Sequence, residues 1–198
     1  MSGELSFGTI DCFLLWHLTS GKVHATDRSN ASRTLLMNIH TGDWDQDLLT
    51  LFNIPREILP EIRNNIDNFG KTEKSLLGKQ IPIKALIGDQ QAALVGQACF
   101  VKGMVKSTYG TGCFTLMNLG EEAVISKNRL ITTVAYSIDD NMTYALEGSI
   151  FVAGAAIQWL KDGLRLLSNI SDSEKIADKI GSTKGVYFIP ALTGLGAP

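Results

Sequence analysis

A short apolar run that leads directly into a helical pattern constrains the fold of this chain most. Residues 81–87 are rich in isoleucine, and their one proline lies near the start, where a strand tolerates a missing donor. Gly88 and Asp89 follow, and residues 89–100 have the apolar spacing of a helix. A strand, a tight turn and a helix in succession predict an α/β protein. Ligands bind open α/β sheets at the ends of such strands.

The first half contains further helical signals. Residues 10–18 form an apolar run after Thr9, a candidate N-cap, and residues 46–52 predict a short helix. Pro55 and Pro60 bracket one helical turn. Residues 25–38 are polar enough for a functional loop, and the pattern does not place them in a helix or strand.

The second half has a different pattern. Alternating apolar residues predict two hairpins, one pairing residues 104–109 with 113–118 and the other pairing 130–138 with 142–147. Two helices are predicted at residues 150–167 and 172–180, and a strand at residues 186–189. Residues 101–103 form the break between the two patterns. We therefore expect parts of two domains, at residues 1–100 and 101–198.

Composition excludes several classes of protein. The net charge is −2 and no basic tract occurs, so binding to nucleic acid is not expected. No apolar run approaches the length of about 18 residues that a membrane span needs, and the start has no signal-peptide pattern. The three cysteines are widely spaced in apolar surroundings, as reduced packing residues are. These features predict a cytoplasmic protein without stable membrane insertion.

Asp89 is the first candidate for chemistry. A carboxylate at a strand end and a helix start can accept the proton of a substrate hydroxyl while that oxygen attacks phosphorus. Gln90, next to it, offers an amide for a second hydroxyl. The alternative for Asp89 is a helix cap, a common use of aspartate.

A glycine loop follows this helix. In Gly110-Thr111-Gly112 the glycines permit a tight turn in which successive amides and the Thr111 hydroxyl point at one anion, such as a phosphate. The alternative is a plain hairpin turn. Phe114, just beyond, is either an apolar wall of the site or a core residue.

Gly154 and Gln158 are four residues apart in a predicted helix and so share a face. A missing side chain at Gly154 makes room for a flat ring, and Gln158 can bond to ribose or base. The alternatives are close helix packing at Gly154 and a solvated Gln158. The three histidines lack the spacing of metal ligands and the acidic pairs resemble turns, so no protein metal site is predicted.

Several motifs together resemble one family, the sugar and polyol kinases with the FGGY signature, and specifically its glycerol kinase branch. The match extends from about Phe7 to Pro198. Its motifs are residues 30–34 (NASRT), 38–41 (NIHT), 54–57 (IPRE), 88–94 (GDQQAAL), 109–114 (YGTGCF), 145–148 (ALEG) and 193–198 (TGLGAP).

This resemblance implies an actin-like, ribonuclease-H-like ATPase fold and phosphoryl transfer from ATP, with Mg²⁺ on the phosphates, to glycerol. It implies that Asp89 binds glycerol and takes its proton, that Gln90 also contacts glycerol, and that Phe114 lines the apolar side. It also implies that Gly110 and Thr111, together with Gly154 and Gln158, contact the adenine nucleotide.

The resemblance also implies that the chain is a central piece. The family's N-terminal phosphate hairpin, an Arg-Glu pair and a tyrosine on glycerol would precede it, and an adenosine-binding glycine run would follow it. Residues 69–79 differ from the loop that binds fructose 1,6-bisphosphate in some bacterial members, so that regulation is not expected.

Three interpretations of function remain open. The first is a part of a glycerol kinase, inactive by itself. The second is another polyol or sugar kinase of the same family, and the third is an inactive nucleotide-binding or interaction module from a broken gene. Whether the protein forms a homo-oligomer is also left open.

Overall fold

The structure is a computed structural model that describes residues 5–194 and residue 196. The first half contains mainly short elements. They are α1 (Ile10–Leu18), β1 (Ala25–Asp27), α2 (Arg28–Ala31), β2 (Met37–Asn38), β3 (Asp43–Trp44), α3 (Gln46–Leu51), a 3₁₀ helix (Arg56–Ile58), β4 (Glu61–Arg63), α4 (Lys74–Leu77) and α5 (Asp89–Gly96). β1 pairs with β4 in parallel, and β2 pairs with β3 antiparallel.

The second half is built on one antiparallel sheet of four strands. Its elements are β5 (Val105–Tyr109), β6 (Cys113–Gly120), β7 (Ile131–Ile138), β8 (Asn141–Ile150), α6 (Gly154–Asp162) and α7 (Asp172–Ile180). The strand order is β5-β6-β8-β7. Both predicted hairpins are confirmed. The turn between β7 and β8 has positive φ at Asp139 and Asp140, the backbone that a two-residue hairpin requires.

The two halves share a hydrophobic core. One face of the sheet packs against the segment after α2 and against α3. The buried members of this cluster are Ala31, Leu36, Met37, Trp44, Leu49, Leu59, Leu119, Val134 and Tyr144. A second cluster joins Leu94 of α5 to Leu116, Ala135 and Ala145 of the sheet. Helix α5 therefore lies on the sheet, and the residues at its start are held close to it. The predicted domain boundary near residue 100 stays a prediction.

Several predictions for local structure are wrong. Residues 81–87 are not a regular strand, because they run beside residues 66–71 with only isolated bridges at Pro82 and Ala85, and Pro82 has no N–H to donate. Residues 186–189 form no strand. The helix predicted at 150–167 begins only at Gly154, since Ile150 still pairs with Cys113 in the sheet.

Smaller differences occur at helix ends. The helix predicted at 89–100 ends at Gly96, and Ala98 beyond it has positive φ. Thr9 precedes α1, but its side chain makes no capping hydrogen bond. Residues 25–38, which the sequence pattern did not place in a helix or strand, contain β1, α2 and β2. The three cysteines are free and buried, as expected.

Candidate active site

Asp89 is the first residue of α5, and Gly88 occupies the N-cap position. The Asp89 side chain is exposed, and among the described residues its Oδ1 accepts a hydrogen bond only from the adjacent backbone N–H of Gln90, at 2.7 Å. In the described part of the chain it accepts nothing from the N–H of Gln91 or of Ala92, and the latter donates to the carbonyl of Gly88 at 2.7 Å. The capping alternative therefore lacks its hydrogen bond, and the carboxylate faces solvent at the start of a helix.

A buried polar network fixes the backbone just before Asp89. The N–H of Gly88 donates to Ser29 Oγ at 2.9 Å, and Ser29 Oγ donates to Asp27. Asn65 Nδ2 donates to Asp27 Oδ1 at 2.7 Å and to the carbonyl of Leu86 at 2.9 Å. Three segments distant in sequence thus converge below the turn, and the position of Asp89 follows from all of them.

Asp27 is the acceptor at the centre of this network. It is fully buried and caps α2, accepting from the backbone N–H groups of Ser29 at 2.8 Å and Asn30 at 3.2 Å. The side-chain amide of Asn30 donates to its second oxygen at 2.5 Å. Burial raises the pKa of Asp27, and the hydrogen bonds from Ser29 and Asn30 act against that shift.

Gln90 contacts a residue that the sequence did not single out, Lys106 of β5. Lys106 Nζ donates to Gln90 Oε1 at 2.6 Å and to Thr108 Oγ1 at 2.9 Å. The lysine is only 3% exposed. Burial lowers the pKa of Lys106, while the negative charges of Glu147 and Asp89 oppose that shift. Its only sequence signal was a charge at an inward position of a strand.

Phe114 lies on the same face of the sheet as Lys106. Thr108 pairs with Phe114 and Lys106 pairs with Leu116, so all four side chains project to one side. Leu116 packs in the cluster with Leu94 of α5. Half-buried Phe114 therefore lies on the sheet face that packs against α5. An apolar wall near Gln90 would have to lie on this face.

Glu147 and Arg33 extend this face across the sheet. Glu147 pairs with Leu116 on the other side of β6 and is 2% exposed. Its Oε1 accepts a hydrogen bond from Arg33 Nη2 at 2.9 Å, while Oε2 has no partner in the part of the chain that the structure describes. Both residues lie within motifs of the resemblance, but neither was assigned a role from the sequence.

The glycine loop contacts the start of α6 through its carbonyl groups. The N–H of Gly154 donates to the carbonyl of Gly110 at 2.9 Å, and the N–H groups of Ala153 and Ala155 donate to the carbonyl of Thr111 at 2.9 and 3.1 Å. The N–H of Gly110 donates to the carbonyl of Gly112 at 2.8 Å. The loop and the helix start form one unit, in which Thr111 is exposed.

Two glycines in this unit have a packing reason. A Cβ on Gly154 would lie 2.6 Å from the carbonyl oxygen of Gly110, and a Cβ on Gly112 would lie 2.6 Å from that of Ile150. Both distances are shorter than real contacts of a Cβ. Close packing thus accounts for Gly154, and its contact with a nucleotide stays a prediction.

Gln158 lies one turn beyond Gly154 on α6 and is exposed, with Nε2 bonded to Asp162. The structure brings Gly110, Thr111 and Gly154 together, and it places Asp89 and Gln90 over the face with Phe114. Strand β6 links the two groups, since it starts directly after the glycine loop and Phe114 is its second residue.

Across residues 5–194 and residue 196, no three His, Cys, Asp or Glu side chains are grouped as metal ligands would be. Among the helices of the same residues, none has both the length and the apolar character needed to cross a membrane.

Comparisons with known proteins identify relatives of the whole chain. The chain is 62% identical to glycerol kinase 1 of Pseudomonas aeruginosa over 196 residues, which are 99% of the chain and 40% of that protein. It is 64% identical to the glycerol kinase of Alcanivorax borkumensis over 197 residues, all of the chain and 39% of that protein. The chain thus spans about 40% of the length of these relatives.

Solved structures show the same fold. The Plasmodium falciparum glycerol kinase, crystallised with ADP, superposes with a TM-score of 0.87 at 44% identity, over 94% of this chain and 38% of that one. A gluconate kinase of Lactobacillus acidophilus superposes with a TM-score of 0.83 at 21% identity, over 98% and 39%. The expected α/β fold, with parts of the two domains of an actin-like ATPase, is confirmed.

Models of one family match nearly all of the chain. The N-terminal domain of the FGGY family of carbohydrate kinases matches residues 4–96, and the C-terminal domain matches residues 105–198. The last motif of the resemblance, at residues 193–198, lies partly outside the described residues, but the second match includes it. The resemblance is thereby confirmed: the chain belongs to the FGGY family of carbohydrate kinases.

Proposed function

We propose that the chain is part of an ATP-dependent glycerol kinase, which transfers the γ-phosphate of ATP to glycerol and gives sn-glycerol 3-phosphate. The observation that carries this proposal is Asp89, an exposed carboxylate on a rigid buried scaffold, with Gln90 beside it and Phe114 on the facing sheet. The high identity to glycerol kinases over the full chain supports glycerol as the acceptor.

The chemistry assigned to Asp89 is that of a general base. Its carboxylate accepts the proton of a terminal glycerol hydroxyl while that oxygen forms a bond to the γ-phosphorus. The bond from the γ-phosphorus to its bridging oxygen breaks, and ADP departs with the electron pair. The proton on Asp89 is then released to solvent, which returns the carboxylate to its starting state.

Gln90 and Phe114 fit a small triol. The Gln90 amide offers a hydrogen bond to a second hydroxyl, and the ring of Phe114 covers the apolar edge of the carbon chain. Gly110, Thr111, Gly154 and Gln158 are proposed to contact the nucleotide. The Thr111 hydroxyl is exposed at the tip of the glycine loop, where a phosphate can reach it.

Mg²⁺ is proposed to enter with ATP. It is commonly held by substrate phosphates and one or two carboxylates rather than by a cage of protein ligands. The exposed carboxylate of Asp89 would be able to supply one such ligand. When bound, the ion neutralises charge on the phosphates.

The isolated chain is expected to be inactive. Phosphoryl transfer depends on positioning, and the relatives are about two and a half times as long as this chain. The alternative acceptors are other polyols or sugars, since xylulose and gluconate kinases have the same fold. We also propose a cytoplasmic location, and ATP and ADP with glycerol as ligands.

A chimaera tests the proposal. The chain would replace the matching 196 residues of the Pseudomonas aeruginosa glycerol kinase 1, and phosphate transfer from ATP would be measured with glycerol, xylulose and gluconate. We expect turnover with glycerol alone, and none from the 198-residue chain by itself. A folded chimaera that prefers another acceptor, or that transfers no phosphate, would contradict the assignment.

A further inference from the structure

Lys106 has no role in the proposed chemistry, yet its environment is unusual for a lysine. It is almost completely buried, whereas its strand neighbours Val105 and Ser107, on the other face, are exposed. Lysine is rarely buried without a partner, because its ammonium loses hydration. A specific interaction must therefore offset that loss.

The partners of Lys106 lie in the candidate active site. Its Nζ is 2.6 Å from Gln90 Oε1 and 2.9 Å from Thr108 Oγ1. Glu147 lies on the same sheet face, paired with Leu116 as Lys106 is. The negative charges of Asp89 and Glu147 both act on the ammonium. The interaction thus joins the sheet to the start of α5.

The contact fixes which way the Gln90 amide faces. An ammonium group only donates hydrogen bonds, so the amide must turn its oxygen to Lys106. A carboxylate only accepts, so the amide must turn its NH₂ group to Asp89, and Gln90 Nε2 is 3.4 Å from Asp89 Oδ2. Both charged neighbours select the same orientation of the amide.

We propose that Lys106 is a positioning residue of the acceptor site: it holds the Gln90 amide with its oxygen turned inward and its NH₂ group turned toward Asp89 and the substrate hydroxyl. This inference rests on the proposed function, because that function assigns glycerol to Asp89 and Gln90. Without the ammonium, the amide is free to rotate and to offer an acceptor where the substrate needs a donor.

Nuclear magnetic resonance on the 198-residue chain tests the contact without any activity. Lys106→Met removes the ammonium, and Lys102→Met is the matched control, since Lys102 is exposed and pairs with Glu122 at the surface. We expect the side-chain NH₂ signals of Gln90 to shift and broaden in Lys106→Met and to stay unchanged in Lys102→Met. Identical Gln90 signals in both folded variants would overturn the inference.

Kinetics of the chimaera test the positioning role. We expect Lys106→Met to raise the KM for glycerol about tenfold, with a smaller effect on kcat and a KM for ATP within about twofold. If Lys106 acts through Gln90, the double variant Lys106→Met/Gln90→Ala has the KM of Gln90→Ala within about twofold. If the two substitutions raise the KM for glycerol independently, so that their effects multiply, or if Lys106→Met leaves this KM unchanged, Lys106 has a purely structural role.

Two further controls keep the outcomes separate. Should Lys106→Met not fold, Lys106→Arg replaces it, because the planar guanidinium keeps the charge but not the single donor position. It is expected to raise the KM for glycerol several-fold, and an unchanged KM would refute the role. If the unsubstituted chimaera does not phosphorylate glycerol, the proposed function fails, while the resonance experiment still decides whether Lys106 orients Gln90.

Discussion

The two ends of the candidate site are held in different ways. At the Asp89 end, buried side chains from three segments converge on Asp27 and fix the N–H of Gly88. At the glycine-loop end, backbone contacts backbone: the carbonyls of Gly110 and Thr111 accept from the first residues of α6. One end depends on the identity of polar side chains, and the other depends on the absence of side chains.

This difference predicts different sensitivities. A buried polar network loses stability when a substitution removes one of its hydrogen-bond donors or acceptors, because the partner left unsatisfied retains its desolvation cost. Backbone packing is indifferent to hydrogen-bonding chemistry but does not accept an added Cβ at Gly112 or Gly154.

Asp89→Asn in the chimaera should lower kcat by at least about 10²-fold, with little change in nucleotide affinity. The amide keeps the shape of the carboxylate but cannot act as a base. Asp172→Asn is the matched control, because Asp172 is likewise the first residue of a helix, but of α7, which has no buried residues. Retention of more than about half of the parent rate by Asp89→Asn would show that this end carries no base.

Gly154→Ala should lower the free energy of unfolding of the 198-residue chain by about 1 to 3 kcal/mol, because its Cβ meets the carbonyl oxygen of Gly110. Gly96→Ala is the control, since a Cβ there would have no described atom within 4 Å apart from its chain neighbours and the backbone of its own helix. It should be neutral or stabilise by up to about 1 kcal/mol. Urea unfolding measures both, and equal effects would argue against tight backbone packing at Gly154.

Asp27→Asn should cost about 1 to 2 kcal/mol of stability, because an NH₂ group replaces one acceptor among donors from Ser29, Asn30 and Asn65. Burial raises the pKa of Asp27, so the folded chain binds this proton more tightly than the unfolded chain. Wild-type stability should therefore fall as the pH rises from the unfolded pKa through the folded one. A variant with unchanged stability and the same pH profile would contradict the network.

Gln158→Ala should have the smallest effect. Its side chain is exposed and, within the described residues, hydrogen-bonded only to Asp162, so stability should change by less than about 0.5 kcal/mol. If Gln158 contacts the nucleotide, calorimetric titration of the chimaera should show ATP affinity reduced by about two- to tenfold. Gln46→Ala, at another exposed helix position, is the control. Unchanged ATP affinity would remove this face of α6 from the nucleotide site.

Local patterns in the sequence predicted the fold where they were self-contained. The hairpins of the second half, α1 and α7 follow from apolar periodicity and turn residues within a few positions. The prediction of a strand at residues 81–87 was wrong because a strand needs a regularly paired neighbour. Residues 66–71 form only isolated bridges with this segment, and the apolar pattern of residues 81–87 does not show how that neighbour pairs. The polar segment 25–38 was left unplaced, since its Asp27 and Ser29 side chains are buried by contacts with residues that are distant in sequence.

The sequence predicted those parts of the candidate site that lie within recognisable motifs. Asp89, Gln90 and the glycine loop stood out by their spacing and by the resemblance. Lys106 and Glu147 did not, because a single charged residue in a strand pattern gives no sign of its partners. Only the register of β5, β6 and β8 shows that both flank Leu116 on one face.

The core that the two halves share has a consequence for dividing the chain. Val134 and Tyr144 pack in one cluster with Trp44 and Leu49, so the break at residues 101–103 separates sequence patterns without separating hydrophobic interiors. Two peptides cut at this break would each expose half of an interior. They are expected to remain unfolded apart and to regain structure on mixing, as complementary fragments of a single cooperative unit.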